Sequence, residues 1–355
     1  MKQRTAIALS GGVDSAVAAA LALEHGDDVF AVTMPLWRMP GREGGGDELA
    51  AAARVAAALG ITHHVVDLAA AFEAHVVDYV AAEYAAGRTP APCAVCNRRI
   101  KFGLLLDAAR GLGADRMATG HYARVARTPD GTPCLQRGAD RSKDQSYFLF
   151  DLSPAQLQAA WFPLGDSSKD DTRGRARQLA LPVDAQRESQ DLCFAGPGQH
   201  AEITAQRRPG DVKSGDIVYG TGAVLGRHEG IHRFTIGQRR GLGVAGGKPL
   251  FVIGIDAASG RITVGPRDAA MRRSLRAERV RWTGTPPPGP VRCRVQIRSN
   301  HDDAPAQVVP GPDNTADVRF DTPQFAVTPG QAAVFYHNDL VIGGGWIAAA
   351  DDRPA

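Results

Sequence analysis

The sequence predicts an α/β protein: a doubly wound parallel sheet of the Rossmann type at the N-terminus, followed by mostly β structure. Three observations carry this. Apolar strand-like runs alternate with helical stretches through the first 120 residues, a glycine-rich turn follows the first of those runs, and beyond about residue 200 helical periodicity gives way to short β-like runs between glycines and prolines.

Residues 5–9 form a short apolar run that reads as the first strand. An alanine-rich stretch, 15–24, follows as a helix, with Gly26 placed to end it. Residues 29–33 read as a second strand, and 48–59 as a second helix built on alanine, the strongest helix former, and closed by Gly60. A third strand at 63–67, a helix at 72–86 and a strand at 115–119 before Gly120 and His121 continue the alternation. Parallel sheets of this kind bind ligands beyond the carboxyl ends of their strands. Leu9–Ser10, Thr33–Met34 and Thr119–His121 all fall there. The later β-like runs are 218–219, 251–255, 262–264, 291–297, 318–320 and 332–335. The Pro-rich run 286–290 reads either as a linker or as a surface loop between strands.

At 355 residues the chain exceeds one ordinary core, which implies two or three domains. No signal-peptide pattern precedes the first strand and no apolar stretch is long enough to span a bilayer, so a cytoplasmic protein without membrane attachment is expected. In a reducing compartment five cysteines point to catalysis, sulfur handling or metal binding rather than a disulfide framework.

Ser10-Gly11-Gly12-Val13-Asp14-Ser15 lies between the first strand and the first helix. Paired glycines let backbone approach a ligand, and free N–H groups at a helix start hold anions. The Lys-Ser/Thr ending of the common NTPase loop is absent. Asp14 would repel phosphate unless it binds Mg²⁺ or caps the helix, which favours a metal-bridged nucleotide; the ordinary alternative is a tight β–α turn with Asp14 or Ser15 as N-cap. Farther on, Cys93 and Cys96 stand beside Arg98, Arg99 and Lys101, a cationic setting expected to lower thiol pKa. Zinc would need a second cysteine pair, and none is present.

The Ser-Gly-Gly-x-Asp-Ser loop resembles that of the PP-loop ATP pyrophosphatases, which attach AMP to a substrate oxygen that a nucleophile then displaces. Together with further segments the chain resembles the tRNA-specific 2-thiouridylases. Those segments include Ala86-Gly87-Arg88-Thr89-Pro90, Cys96-Asn97, Thr119-Gly120-His121-Tyr122, Lys143-Asp144-Gln145, Glu188-Ser189-Gln190-Asp191-x-Cys193, Thr235-Ile236-Gly237-Gln238-Arg239, Thr328-Pro329-Gly330-Gln331 and Gly343-Gly344-Gly345.

The resemblance implies three domains: a catalytic ATP-binding domain over 1–200, a small β-rich central domain over 201–270 and a tRNA-contacting β-barrel over 271–355. It makes Ala8, Leu9, Ser10, Gly11, Gly12, Val13, Asp14, Ser15, Met34 and Gly120 the contacts for ATP, with Mg²⁺. Cys96 is implied as nucleophile and Cys193 as the persulfide carrier, loaded by a sulfur-donor protein. Ala91, Pro92 and Cys93 would face the target base; His121, Lys143, Asp144, Gln145, Arg298, Ser299 and Gln331 would meet tRNA, typically the lysine, glutamate and glutamine acceptors. The implied reaction adenylates O2 of the wobble uridine and exchanges it for sulfur. The chain has Ala91-Pro92-Cys93 where many members carry Asn-Pro-Asp, and Ser299 where an aromatic is usual. A further alternative stays open: Cys93, Cys96 and Cys193 as ligands of a [4Fe-4S] cluster with one open site. Eight arginines and one acid, Glu278, between Arg272 and Arg298 suggest a phosphate-neutralising stripe, with Arg292 and Arg294 on one strand face.

Overall fold

The computed structural model describes residues 2–35, 37, 47–184, 193–196, 198–244 and 248–351. Two compact units result: 1–76 with 93–195 and 339–341, and 77–92 with 196–338 and 342–355.

The first unit holds strands β1 (Arg4–Ala8), β2 (Asp28–Thr33), β3 (Thr62–Val65), β4 (Arg116–Ala118), β5 (Ala123–Arg127), β6 (Pro133–Arg137) and β7 (Ala160–Trp161). Helices α1 (Val13–Glu24) and α2 (Asp47–Leu59) flank β2 in sequence. Five strands form one parallel sheet in the order β3-β2-β1-β4-β7. The alanine-rich face of α1 is buried with Ile7, Val29 and Val55 in the core beside it. Small side chains let helix and sheet approach closely, which explains why a weakly amphipathic alanine run still makes a core helix. The order reverses between β1 and β4, the switch point where such sheets bind ligands. β5 and β6 form an antiparallel hairpin that the sequence pattern did not suggest, with Leu340 paired to Gln136. The helix expected over 72–86 is instead Ala69–Phe72 and Asp78–Ala85, joined by a wide turn over Glu73–Val77.

The second unit contains two β structures. β8 (Gly215–Tyr219), β9 (Val224–His228), β10 (Phe251–Asp256) and β11 (Arg261–Gly265) make a four-stranded sheet ordered β10-β11-β8-β9. Six longer strands follow: β12 (Met271–Trp282), β13 (Val291–Gln296), β14 (Ala304–Pro310), β15 (Ala316–Phe325), β16 (Ala332–His337) and β17 (Leu340–Asp351). Their order is β12-β15-β14-β13-β16-β17, and pairing of β12 with β17 closes an antiparallel barrel. Buried and exposed residues alternate over 304–309 of β14 and 316–321 of β15, so Ala306, Val308, Val318 and Phe320 fill the barrel core. The Pro-rich run 286–290 is the loop between β12 and β13.

Closure depends on glycine. At a bulge in β12, a Cβ on Gly345 would lie 2.7 Å from Val280 Cγ2 and 2.8 Å from the Glu278 carbonyl oxygen. Gly345→Ala is therefore expected to destabilise the barrel by about 1–3 kcal/mol, the usual cost of overpacking. Calorimetry checks this; an unchanged transition would show that the β12–β17 seam tolerates a side chain.

Candidate active site

The turn after β1 is pegged at both ends by core residues. Leu9 and Val13 are buried, and Thr33 Oγ1 donates to the Leu9 carbonyl at 2.7 Å. Within the turn, Ser15 Oγ accepts from the Ser10 amide (3.2 Å) and donates to the Gly12 carbonyl (3.0 Å), closing the loop on itself. Gly11 has φ +77°, and a Cβ there would sit 2.6 Å from Ala51 Cβ. The N-cap of α1 is Gly12, with no side-chain cap bond. Asp14 and Ser15 do not cap the helix through a side-chain hydrogen bond, although Asp14 places an acid in its first turn. Gly120 closes the other side: a Cβ would fall 2.7 Å from Asp14 C and Ser15 N. Loop, helix start and Gly120 thus meet at the switch point, packed closely because glycine leaves room there for Ala51 and for the Asp14–Ser15 backbone, and their amides suit a nucleotide phosphate.

Asp14 has a neutraliser that the sequence did not reveal. Lys169 Nζ lies 2.7 and 2.8 Å from its two carboxylate oxygens, and the Tyr122 hydroxyl donates to Asp14 Oδ1 at 3.0 Å. Lys169 is buried, at the start of the helix Lys169–Gln178. The repulsion that Asp14 would direct at phosphate is removed by a lysine, and no metal is needed for that purpose.

Cys93 and Cys96 lie on the short helix Pro92–Cys96, and Cys193 precedes Phe194. Phe194 is buried, with its ring 5.4 Å from that of Phe72 and 6.3 Å from that of Trp37, which anchors the segment carrying Cys193. All five cysteines are free. The expected lowering of thiol pKa is not found. Burial pushes Cys96 up to about 12 and Cys193 up to about 11, and it also raises Cys93. Cys193 keeps an exposed face, yet the surrounding protein still strips water from its sulfur. Of the three expected cations, Arg98 is spent on the carbonyl and carboxylate of Asp151, and Arg99 is exposed. Lys101 alone opposes burial at all three sulfurs, and dehydration outweighs it. Among the described residues no group of three or more His, Cys, Asp or Glu side chains is placed to hold a metal. Residues 188–191 lie outside the described residues.

Several residues expected to meet tRNA are held by the protein itself. The carboxylate of Asp144 is buried against Arg137 (3.0 Å), the Gly138 amide (3.0 Å) and Ser146 Oγ (2.8 Å), so it shapes its own turn. Gln145 brackets Tyr122, donating its amide to the Tyr122 carbonyl and accepting from the Tyr122 amide. Lys143 beside them is half-buried. His121 lies 2.7 Å from Thr119 Oγ1; burial, reinforced by Lys101, holds its pKa well below the usual range, so the imidazole is neutral. In the second unit, Gln331 Nε2 donates to the carbonyls of Thr89 (3.2 Å) and Pro90 (2.8 Å), next to the buried Ala91 and Pro92. Arg298 sits over Phe325, 5.9 Å from the ring centre, so an aromatic absent at Ser299 is present in space.

The arginine stripe on the barrel is largely paired. Arg292 makes a bidentate bridge to Asp321 (2.6 and 2.9 Å), Arg276 reaches Asp317 (3.3 Å) and Arg294 pairs with Asp303. Counting acids along the chain missed partners that sit on or beside neighbouring strands.

No helix among the described residues is long and apolar enough to cross a membrane. Three family models match in succession: the tRNA methyl transferase HUP domain over residues 3–197, the tRNA methyl transferase PRC-barrel domain over 205–266 and the aminomethyltransferase β-barrel domain over 272–347. Relatives that match over nearly their whole length include several named tRNA-specific 2-thiouridylase MnmA. The protein of Geotalea uraniireducens is 45% identical, covering 98% of this chain and 96% of its own. That of Solibacter usitatus is 46% identical, covering 98% and 99%. That of Rhodospirillum centenum is 44% identical, covering 99% and 93%. With the phosphate loop, the free thiols and this near-complete match, the chain belongs to the tRNA-specific 2-thiouridylase family.

Proposed function

We propose that the protein is a tRNA-uridine 2-sulfurtransferase that uses ATP to exchange O2 of the wobble uridine, position 34, for sulfur. The observation that carries the reading is one unit holding both an uncapped phosphate loop and three free, mutually influencing thiols. ATP, with Mg²⁺ on its phosphates, would lie along Ala8–Ser15, Met34 and Gly120. Attack by O2 of the uridine on the α-phosphorus expels pyrophosphate and leaves AMP on oxygen. A donor protein places a sulfur on Cys193 as a persulfide. The terminal sulfur attacks C2 and AMP departs with the former O2, leaving C2 joined to Cys193 through a disulfide. Cys96 then attacks the Cys193 sulfur, which releases 2-thiouridine and leaves a Cys96–Cys193 disulfide for a two-electron reductant.

The high thiol pKa values mean that each sulfur must give up a proton before it acts. Unloaded, Cys193 is held mainly as the thiol and loses its proton as it takes sulfur from the donor. A persulfide spreads negative charge over two sulfurs and ionises more readily, so loading itself would create the nucleophile. Lys101 is the cation placed to favour each sulfur anion. His121, neutral, would offer hydrogen bonds rather than charge to the base. Lys143, Gln145, Arg298, Ser299 and Gln331 would meet tRNA, and Asp144 would act through the turn it shapes. A methyltransferase reading, suggested by two family-model descriptions, gives two thiols and an ATP loop no task. Purified protein with ATP, a persulfide donor and unmodified tRNA should form 2-thiouridine at position 34, read by nucleoside mass spectrometry. Methylated uridine without thiolation would reverse the assignment.

A further inference from the structure

Ahead of β10 the chain carries Thr235-Ile236-Gly237-Gln238-Arg239-Arg240-Gly241-Leu242-Gly243. The path of this loop is fixed. Gly237, Gly241 and Gly243 all have left-handed φ, between +67° and +86°. Gln238 Oε1 accepts from the Thr235 amide and its Nε2 donates to the Arg240 carbonyl, both at 3.0 Å. Leu242 is buried with Ile231, Phe234 and Val252. At the base, a Cβ on Gly237 would meet Ala326 Cβ at 2.6 Å and the Phe325 ring at 3.3 Å.

This framework holds cations out to solvent. Arg239, Arg240 and Lys248 are exposed, and among the described residues none pairs with a carboxylate. No acid occurs in the sequence between Glu229 and Asp256. Arg239 and Lys248 border an open cavity of about 410 Å³, lined also by Gly241 and Gly243, where a ligand can approach bare backbone. The cationic surface continues at the loop's base, where Arg267 stacks over Phe325 at 4.5 Å and Arg298 over the same ring at 5.9 Å. The barrel arginines Arg292 and Arg294 are by contrast tied to Asp321 and Asp303. Arg239, Arg240 and Lys248, exposed and without a carboxylate partner among the described residues, suit a chain of phosphates. A small free anion would need converging, dehydrated donors.

We infer that Arg239, Arg240 and Lys248 grip the sugar–phosphate backbone of tRNA, and that they supply more of the salt-sensitive affinity than the arginine face of the barrel. The inference rests on tRNA being the substrate.

The test measures tRNA dissociation constants across a salt series for full-length protein. For the Arg239→Gln/Arg240→Gln/Lys248→Gln variant the salt slope should become shallower by about 2 to 3, near one for each phosphate no longer neutralised, with at least a roughly tenfold weakening of affinity. Arg239→Lys/Arg240→Lys should keep the slope, and Arg292→Gln/Arg294→Gln should barely change it. If the triple variant does not fold, Arg240→Gln alone should lower the slope by about 1. An unchanged slope in the loop variants, or a slope carried by the barrel variant, overturns the inference. So does loss of inorganic pyrophosphate binding with tRNA binding intact, which would mark a small-anion site. Wild-type protein that binds ATP but no tRNA would instead bring down the substrate reading beneath it.

Discussion

Cys193→Ser is expected to lower tRNA thiolation by roughly a thousandfold or more while leaving ATP and tRNA binding nearly unchanged. Serine keeps the shape of the side chain, and the anchor through Phe194 on Phe72 and Trp37 is untouched. What is lost is the atom that carries transferable sulfur, for which an alcohol has no substitute. The first half-reaction should survive, so pyrophosphate should still be released once, without 2-thiouridine. Cys96→Ser should differ in kind: sulfur reaches C2 but remains tethered, and a tRNA–protein disulfide that reductant releases should accumulate. Full thiolation by Cys193→Ser would remove the relay altogether.

Lys169→Met should weaken ATP binding roughly ten- to hundredfold, about 1.4–2.8 kcal/mol, by titration calorimetry. The substitution keeps bulk but leaves the Asp14 carboxylate uncompensated in the loop that receives a polyphosphate. Adding Asp14→Asn should restore part of the affinity, since it removes the charge that the lysine balances. If Lys169→Met binds ATP as tightly as the unaltered protein, the ion pair is structural only, and Asp14 has another partner when ATP is present.

The parallel sheet was readable because each strand and helix has its own period, and the glycine loop because its constraints are local. Neither property identifies Lys169. Its partner lies 155 residues away, and nothing around Lys169 marks it as part of a loop at the other end of the unit. The thiol environment was misjudged for a related reason. Arg98, Arg99 and Lys101 are visible in sequence, whereas burial of Cys96 and diversion of Arg98 to Asp151 arise only in the fold. The arginine stripe shows the same limit, because a strand's acidic partners are set by register: Asp303 and Asp321 come from beyond the stretch in which the arginines were counted. The β5–β6 hairpin and β17 were missed because polar edges and a triple glycine give a weak strand signal.

The central claim is that ATP activates O2 of the uridine itself. It is tested most directly by transcribing tRNA with ¹⁸O at O2 of its uridines, running one turnover with persulfide-loaded protein and weighing the AMP released. The mechanism places the former O2 in the phosphate of AMP, which should gain one ¹⁸O for each 2-thiouridine formed. AMP free of label alongside 2-thiouridine would contradict it.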